Sequence, residues 1–132
     1  MMIYNQRRRV LVVDDEPSIC RALTIALTRS GYDARAVEQG EVAHALLRNE
    51  HFDCLVVDLR MPDMRGDVLF ELAASLQPHL RQCTILTTGD CSEKAQELIE
   101  ACGCPSIIKP FDLAELMALV DRATWRLRDA SA

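Results

Sequence analysis

Four short stretches of the chain end an apolar run on a side chain that can do chemistry. VLVVDDEP ends on Asp14, Asp15 and Glu16; VVDLRMPDMRG carries Asp58; TILTTGD carries Thr88; SIIKPF carries Lys109. Adjacent carboxylates repel, and burial penalises them further, so an oily run that feeds into three of them needs a reason. Taken singly, each residue has a plain one. Asp14 to Glu16 and Asp58 could be helix-start carboxylates favoured by the dipole, Thr88 a strand-end residue, and Lys109 a surface lysine. Taken together they describe a cation site. Mg²⁺ takes oxygen ligands and keeps several waters, so one or two carboxylates plus a backbone carbonyl suffice. A dication beside an ammonium and a hydroxyl forms a three-point cradle for a tetrahedral anion such as phosphoryl. One carboxylate could be the nucleophile that carries it. Asp58 suits that role, because it stands alone at the end of its run and the turn after it (Met61 to Gly66) is irregular enough to give access.

These residues need elements to position them. Five short apolar runs, Val10–Val13, Ala34–Val37, Leu55–Val57, Ile85–Thr87 and Ser106–Ile108, alternate with five helix-period segments. The first helix opens with Pro17 and ends before Gly31, with a stripe of Ile19, Ala22, Leu23, Ala26 and Leu27. The second carries Val42, Ala43, Leu46 and Leu47. The third carries Leu69, Leu72, Ala73 and Leu76 and stops before Pro78. The fourth starts at a Ser92 cap and runs through Ala95, Leu98 and Ile99. The fifth opens with the capping-box spacing Asp112 to Glu115, and its stripe is Leu113, Leu116, Met117, Val120 and Leu127. Continuously apolar runs are strands covered on both faces. Strand–helix alternation repeated five times predicts an α/β, doubly wound fold, a single (βα)5 domain with a five-stranded parallel sheet. In such a sheet ligands bind beyond the carboxyl ends of the strands, where Asp14, Asp15, Asp58, Thr88 and Lys109 all fall.

With 132 residues, 49% of them hydrophobic, the chain is long enough for one domain with a core of its own. A net charge of −5 argues against direct nucleic-acid binding or an anionic membrane as its main business. The one basic run, Arg7-Arg8-Arg9, reads as a solvated approach to the first strand. No apolar run is long enough to span a membrane, and the N-terminus lacks a signal peptide's apolar region. The six cysteines are scattered through helix and strand patterns, and Cys102-Gly103-Cys104 lacks zinc-knuckle spacing, so all six are expected to be reduced thiols of a cytoplasmic protein.

The four motifs, in this order and at these separations, resemble the response regulator receiver domain of two-component signalling, chemotaxis regulators included, from about Arg9 to Arg126. The resemblance implies the flavodoxin-like strand order 2-1-3-4-5, a domain over 1–128 and a tail over 129–132. It implies that Asp58 accepts a phosphoryl group from the phosphohistidine of a sensor histidine kinase or phosphotransfer protein. Asp14 and Asp15 match the acidic pair that holds Mg²⁺, Asp15 directly and Asp14 largely through water. Asp58 and the backbone carbonyl of Arg60 match further ligands. Thr88 matches the hydroxyl that moves to meet the phosphoryl oxygen, Lys109 the lysine that pairs with it, and Lys109–Pro110 a bond that is usually cis. The family is a switch rather than a classical enzyme, catalysing only its own phosphorylation and dephosphorylation. An output domain or target would read the switch, and the resemblance leaves room for a homodimer formed on phosphorylation.

Two departures from the family pattern matter. The position three before Lys109, often aromatic, is Ser106 here, so the switch is expected to rely on Thr88 and the fourth helix. Arg60 and Asp90 occupy positions that tune loss of the phosphoryl group, and their opposite charges predict a pair that hinders water. Two rivals remain at this point. A Mg²⁺-dependent phosphatase-like hydrolase would place a second acid where Arg60 stands, and the chain has no GxxxxGK loop. An unphosphorylated interaction module on the same fold would not need the full set of Asp15, Asp58, Thr88 and Lys109.

Overall fold

The computed structural model describes the backbone of residues 7–131 and the side chains of residues 7–125. Strands β1 (Arg9–Val13), β2 (Asp33–Val37), β3 (Cys54–Asp58), β4 (Thr84–Thr88) and β5 (Ser106–Ile108) alternate with helices α1 (Pro17–Arg29), α2 (Gly40–Asn49), α3 (Gly66–Leu76), α4 (Glu93–Cys102) and α5 (Leu113–Ser131). All pairings are parallel and the sheet order is β2-β1-β3-β4-β5, as expected. One element was not foreseen, a 3₁₀ turn over Pro78–Arg81 between α3 and β4.

Alternating side chains divide the core into two layers. Leu11, Val13, Leu55, Val57 and Leu86 pack under α2, α3 and α4, against Ala43, Leu47, Leu69, Phe70, Ala73, Ala95 and Ile99. Val10, Val12, Cys54, Val56, Ile85 and Ile107 pack under α1 and α5, against Leu23, Leu27, Leu116, Val120 and Ala123. Each fully buried aliphatic side chain contributes about 2 kcal/mol. Every residue of β3 is buried, which explains why its sequence shows no polar alternation.

The helix signals were mostly read correctly. Ser92 Oγ accepts the Ala95 N–H at 3.2 Å, and Asp112 Oδ1 accepts the Ala114 N–H at 2.9 Å. Gly31 (φ 95°) and Gly103 (φ 70°) adopt the left-handed backbone after α1 and α4 that side chains disfavour. The stripes were too generous at their ends, because Leu76 and Leu113 are exposed, while Phe70 and Ala74 are buried in α3. Leu127 lies beyond the described side chains. Helix α5 continues to Ser131. The basic run is also not simply solvated, since Arg9 is fastened by Asp33, Glu50 and the His51 carbonyl. Among the described residues no helix is long and apolar enough to cross a membrane. Cys20, Cys54, Cys83 and Cys104 are buried, Cys91 is exposed, and burial pushes Cys104 up to about 12.

Candidate functional site

Parity along the strands assembles the site. Val12, Val56, Ile85 and Ile107 all face the α1/α5 layer. Two residues further along each chain stand Asp14, Asp58, Thr87 and Lys109, so these four share one face. The register agrees, placing Asp58 opposite Thr87 and Thr87 opposite Ile107.

Lys109 ties the group together. Its Nζ lies 2.9 Å from Asp14 Oδ2, 3.1 Å from Asp58 Oδ2 and 3.1 Å from Glu16 Oε1. Asp14 and Asp58 are buried at 2% and 5% exposure, whereas Asp15 and Glu16 face solvent. One ammonium cannot neutralise four carboxylates. Burial raises the Asp58 carboxyl above its usual range, against the pull of Lys109 and with the push of Asp14. Burial would lower Lys109, but its bonds to Asp14 and Asp58 outweigh that and hold it above its ordinary value.

Asp14, Asp15 and Asp58 each offer an oxygen within 4.8 Å of the others, the spacing of a cation site. These are hard donors, two of them buried with a surplus of negative charge, and they fit Mg²⁺ better than any thiol- or imidazole-preferring metal. Arg60 follows in the loop and donates its N–H to Asp58 Oδ1 at 3.3 Å, while its guanidinium pairs with Asp90 as its charge predicted.

Thr88 is a correction. Its parity is that of Leu86, which packs in the α2/α3/α4 layer, so its side chain leaves the sheet on the face away from Asp58. Its hydroxyl accepts the Asp90 N–H at 2.9 Å and donates to the Asp90 carbonyl at 3.2 Å, closing a local turn. The hydroxyl on the Asp58 face belongs to Thr87, which is 1% exposed and has no hydrogen-bond partner among the described residues. The sequence could not separate the two threonines, because a strand buried on both faces carries no parity mark. Glu16 was read as part of the acid cluster but not as a partner of Lys109. Gly66 was also missed: a Cβ there would lie 2.3 Å from the Asp58 carbonyl oxygen, so α3 starts close to the site only because the residue is glycine.

Residues 10–121 match the sequence model of the response regulator receiver domain. The chain belongs to that family. It is 35% identical over 124 residues to the DNA-binding transcriptional regulator NtrC of Proteus hauseri, covering 94% of this chain and 26% of that protein. It is 38% identical over 124 residues to the transcriptional regulatory protein KdpE of Mycobacterium tuberculosis, covering 93% of this chain and 53% of that protein. The receiver domain thus spans about a quarter of the first of these relatives and half of the second. Among solved structures it is similar to a CheY-like response regulator receiver domain protein of Methanospirillum hungatei, with a TM-score of 0.86 and 25% identity over 95% of this chain and 99% of that one. Receiver domains are in general phosphoacceptor switches, and they bind Mg²⁺ through acidic residues of this kind.

Proposed function

We propose that this receiver domain takes a phosphoryl group on Asp58 from a sensor histidine kinase or phosphotransfer protein, and that Thr87 and Lys109 hold the transferred group. The observation that carries the reading is the shared face: a buried Asp58, a lysine bonded to it, and a buried hydroxyl with no hydrogen-bond partner among the described residues. Asp14, Asp15, Asp58 and the Arg60 carbonyl would hold Mg²⁺. The ion supplies positive charge to the phosphoryl oxygens when bound.

The protein's own part is positioning. An Asp58 oxygen attacks phosphorus, the phosphorus–nitrogen bond of the phosphohistidine breaks, and the electron pair leaves with the imidazole. The product is an acyl phosphate on Asp58. Lys109, already 3.1 Å from Asp58 Oδ2, neutralises it. The Thr87 hydroxyl donates to a phosphoryl oxygen, which gives that buried group its missing partner.

Movement of Thr87 displaces Thr88 on the opposite face. Thr88 holds the Asp90 turn, Asp90 Oδ1 accepts the Ser92 N–H at 2.9 Å, and Ser92 caps α4. The signal would therefore leave through this turn and α4, biasing two pre-existing states, without the aromatic that Ser106 replaces. The Arg60–Asp90 pair would shield the acyl phosphate from water, and Arg60→Ala would shorten its lifetime. Output domain, dimer formation and cytoplasmic location follow the family expectation.

The test is to incubate the protein with Mg²⁺ and a small acyl phosphate and record its intact mass. A gain of one phosphoryl group, absent without Mg²⁺ and absent in Asp58→Ala, is expected. No gain in the wild type, where another receiver domain is labelled, would favour the unphosphorylated interaction module.

A further inference from the structure

We infer that Asp63 and Gly40 are positioning residues that dock the loop after Asp58 onto the first turn of α2, and so hold the two halves of the Mg²⁺ site in register. The inference rests on the Mg²⁺ reading above.

Helix α2 has no cap of its own, since the Gln39 side chain makes no capping bond. Its first amides would be orphaned. Asp63 reaches across from the loop after β3 and satisfies two of them: Oδ1 accepts the Gly40 N–H at 3.1 Å and Oδ2 accepts the Glu41 N–H at 2.9 Å. A carboxylate at a helix N-terminus is further favoured by the dipole. The Glu41 N–H bond above all holds Asp63 below the usual carboxylate range.

Gly40 makes the docking close. A Cβ there would lie 2.9 Å from Met64 Cβ, 3.3 Å from Met64 Sδ and 3.5 Å from Met61 Cε. Any side chain at position 40 would push the loop away. At its base the same loop is tied by the Gly66 N–H to the Leu59 carbonyl at 2.8 Å. Arg60 lies between the two ties.

The end of β2, just before α2, touches the backbone of Asp14. The Val37 carbonyl accepts the Asp14 N–H at 3.1 Å, and the Cys20 thiol bonds the Asp14 carbonyl at 3.2 Å. The segment 37–41 therefore contacts both Asp14 and the loop that carries Arg60. Without Asp63 the loop would lose its two hydrogen bonds to α2 and keep the Gly66–Leu59 bond, the Arg60 N–H bond to Asp58 and the Arg60–Asp90 pair, so the position of the Arg60 carbonyl would be less tightly fixed.

Calorimetric titration with Mg²⁺ tests this on the whole chain, with phosphorylation by acyl phosphate as a second readout. Asp63→Ala is expected to weaken Mg²⁺ binding about tenfold, the scale of a lost supporting contact around a metal. Its phosphorylation rate at saturating Mg²⁺ should stay within about twofold of wild type. Asp63→Asn, with one acceptor oxygen left, should fall between, and it carries the test if the alanine variant does not fold. Gly40→Ala should act in the same direction. Wild-type Mg²⁺ affinity in Asp63→Asn and Asp63→Ala, whatever their melting temperatures, overturns the inference. Failure of the wild type itself to bind Mg²⁺ overturns the metal reading instead.

Discussion

The two ends of the sheet both gather charge, and they treat it in opposite ways. At the amino end, Arg9 donates to Asp33 at 3.2 Å, to Glu50 at 3.1 Å and to the His51 carbonyl at 3.1 Å, and lies 4.4 Å over the Phe52 ring. Its backbone N–H donates to Asp53 at 2.7 Å, and Gln77 bonds Phe52, Leu47 and Glu50. There Asp33 and Glu50 are met by Arg9 and Arg35 in ion pairs. At the carboxyl end one ammonium serves Asp14, Glu16 and Asp58, Asp15 stands beside them, and a buried hydroxyl has no partner among the described residues. Charge clusters are thus no mark of function in themselves. The mark is an imbalance that the described residues do not correct, and it fits the proposed binding of a cation and an anion.

The largest effect that would sharpen this contrast is on stability. A ligand that binds only the folded state at a hundredfold excess over its Kd adds about 2.7 kcal/mol. Mg²⁺ should therefore raise the melting temperature well beyond KCl of equal ionic strength, and Asp15→Asn should lose most of the rise. Burial raises Asp58, so in the Mg²⁺-free protein this group adds stability as pH falls through its carboxyl range. Protons then compete with the ion, and the Mg²⁺ gain should shrink over the same range. An equal rise in Asp15→Asn would mean that the acids are screened rather than ligated.

Next comes the threonine pair. Thr87→Val keeps shape and removes a buried, unpaired hydroxyl, so it should stabilise the Mg²⁺-free fold by about 1 kcal/mol. It should also slow phosphoryl uptake roughly tenfold or more, because a charge-assisted hydrogen bond is worth about 2 kcal/mol. Thr88→Val should do the reverse, destabilising by about 1 kcal/mol through the Asp90 turn while uptake stays within about twofold. Melting curves and rates on the two variants decide which face the chemistry uses, and equal rates would refute the assignment of Thr87.

That pair also shows where the sequence stops informing. The strands, helix caps and the carboxylates at strand ends were legible, because apolar runs, Ser92, Asp112 and the acids carry local signals, whereas the strand order came from the family resemblance. Asp14, Asp15, Asp58 and Lys109 were each named, and the structure brings them together. Thr87 was not, because Ile85 to Thr88 are all buried and either threonine could face the acids until the register of β3 and β4 is known. The Arg9 network and the Asp63 contact were missed for a similar reason. They join residues over 20 positions apart, and no local pattern reports a tertiary partner.

At the amino end the expected effects are smaller and purely structural. Arg9→Ala removes three side-chain bonds and a cation–ring contact from a partly exposed network, which should cost about 1.5 kcal/mol. Mg²⁺ binding and phosphoryl uptake should be unchanged once the variant is folded. A loss of uptake at full folding would break the contrast between the two ends.

The smallest effect lies just before β2. Tyr32 is buried, its hydroxyl donates to Asp121 and lies 3.0 Å from Thr124 Oγ1. Burial first, and then the bond to Asp121, push its phenol up to about 12, against an ordinary value of about 10. The folded state therefore keeps a proton that the unfolded chain gives up. Its contribution is full below about pH 10 and is lost as pH rises through about 12. Tyr32→Phe should cost about 1 kcal/mol at neutral pH, since it removes one paired hydroxyl. The gap between wild type and variant should then narrow as pH climbs above about 10, because only the wild type has that phenol to ionise. Lys109, also raised by its carboxylate partners, contributes to the alkaline limb in both proteins alike, so the difference isolates Tyr32. A gap that stays constant to the alkaline limit would mean that the phenol ionises equally in both states, and that the Asp121 bond is not holding the proton.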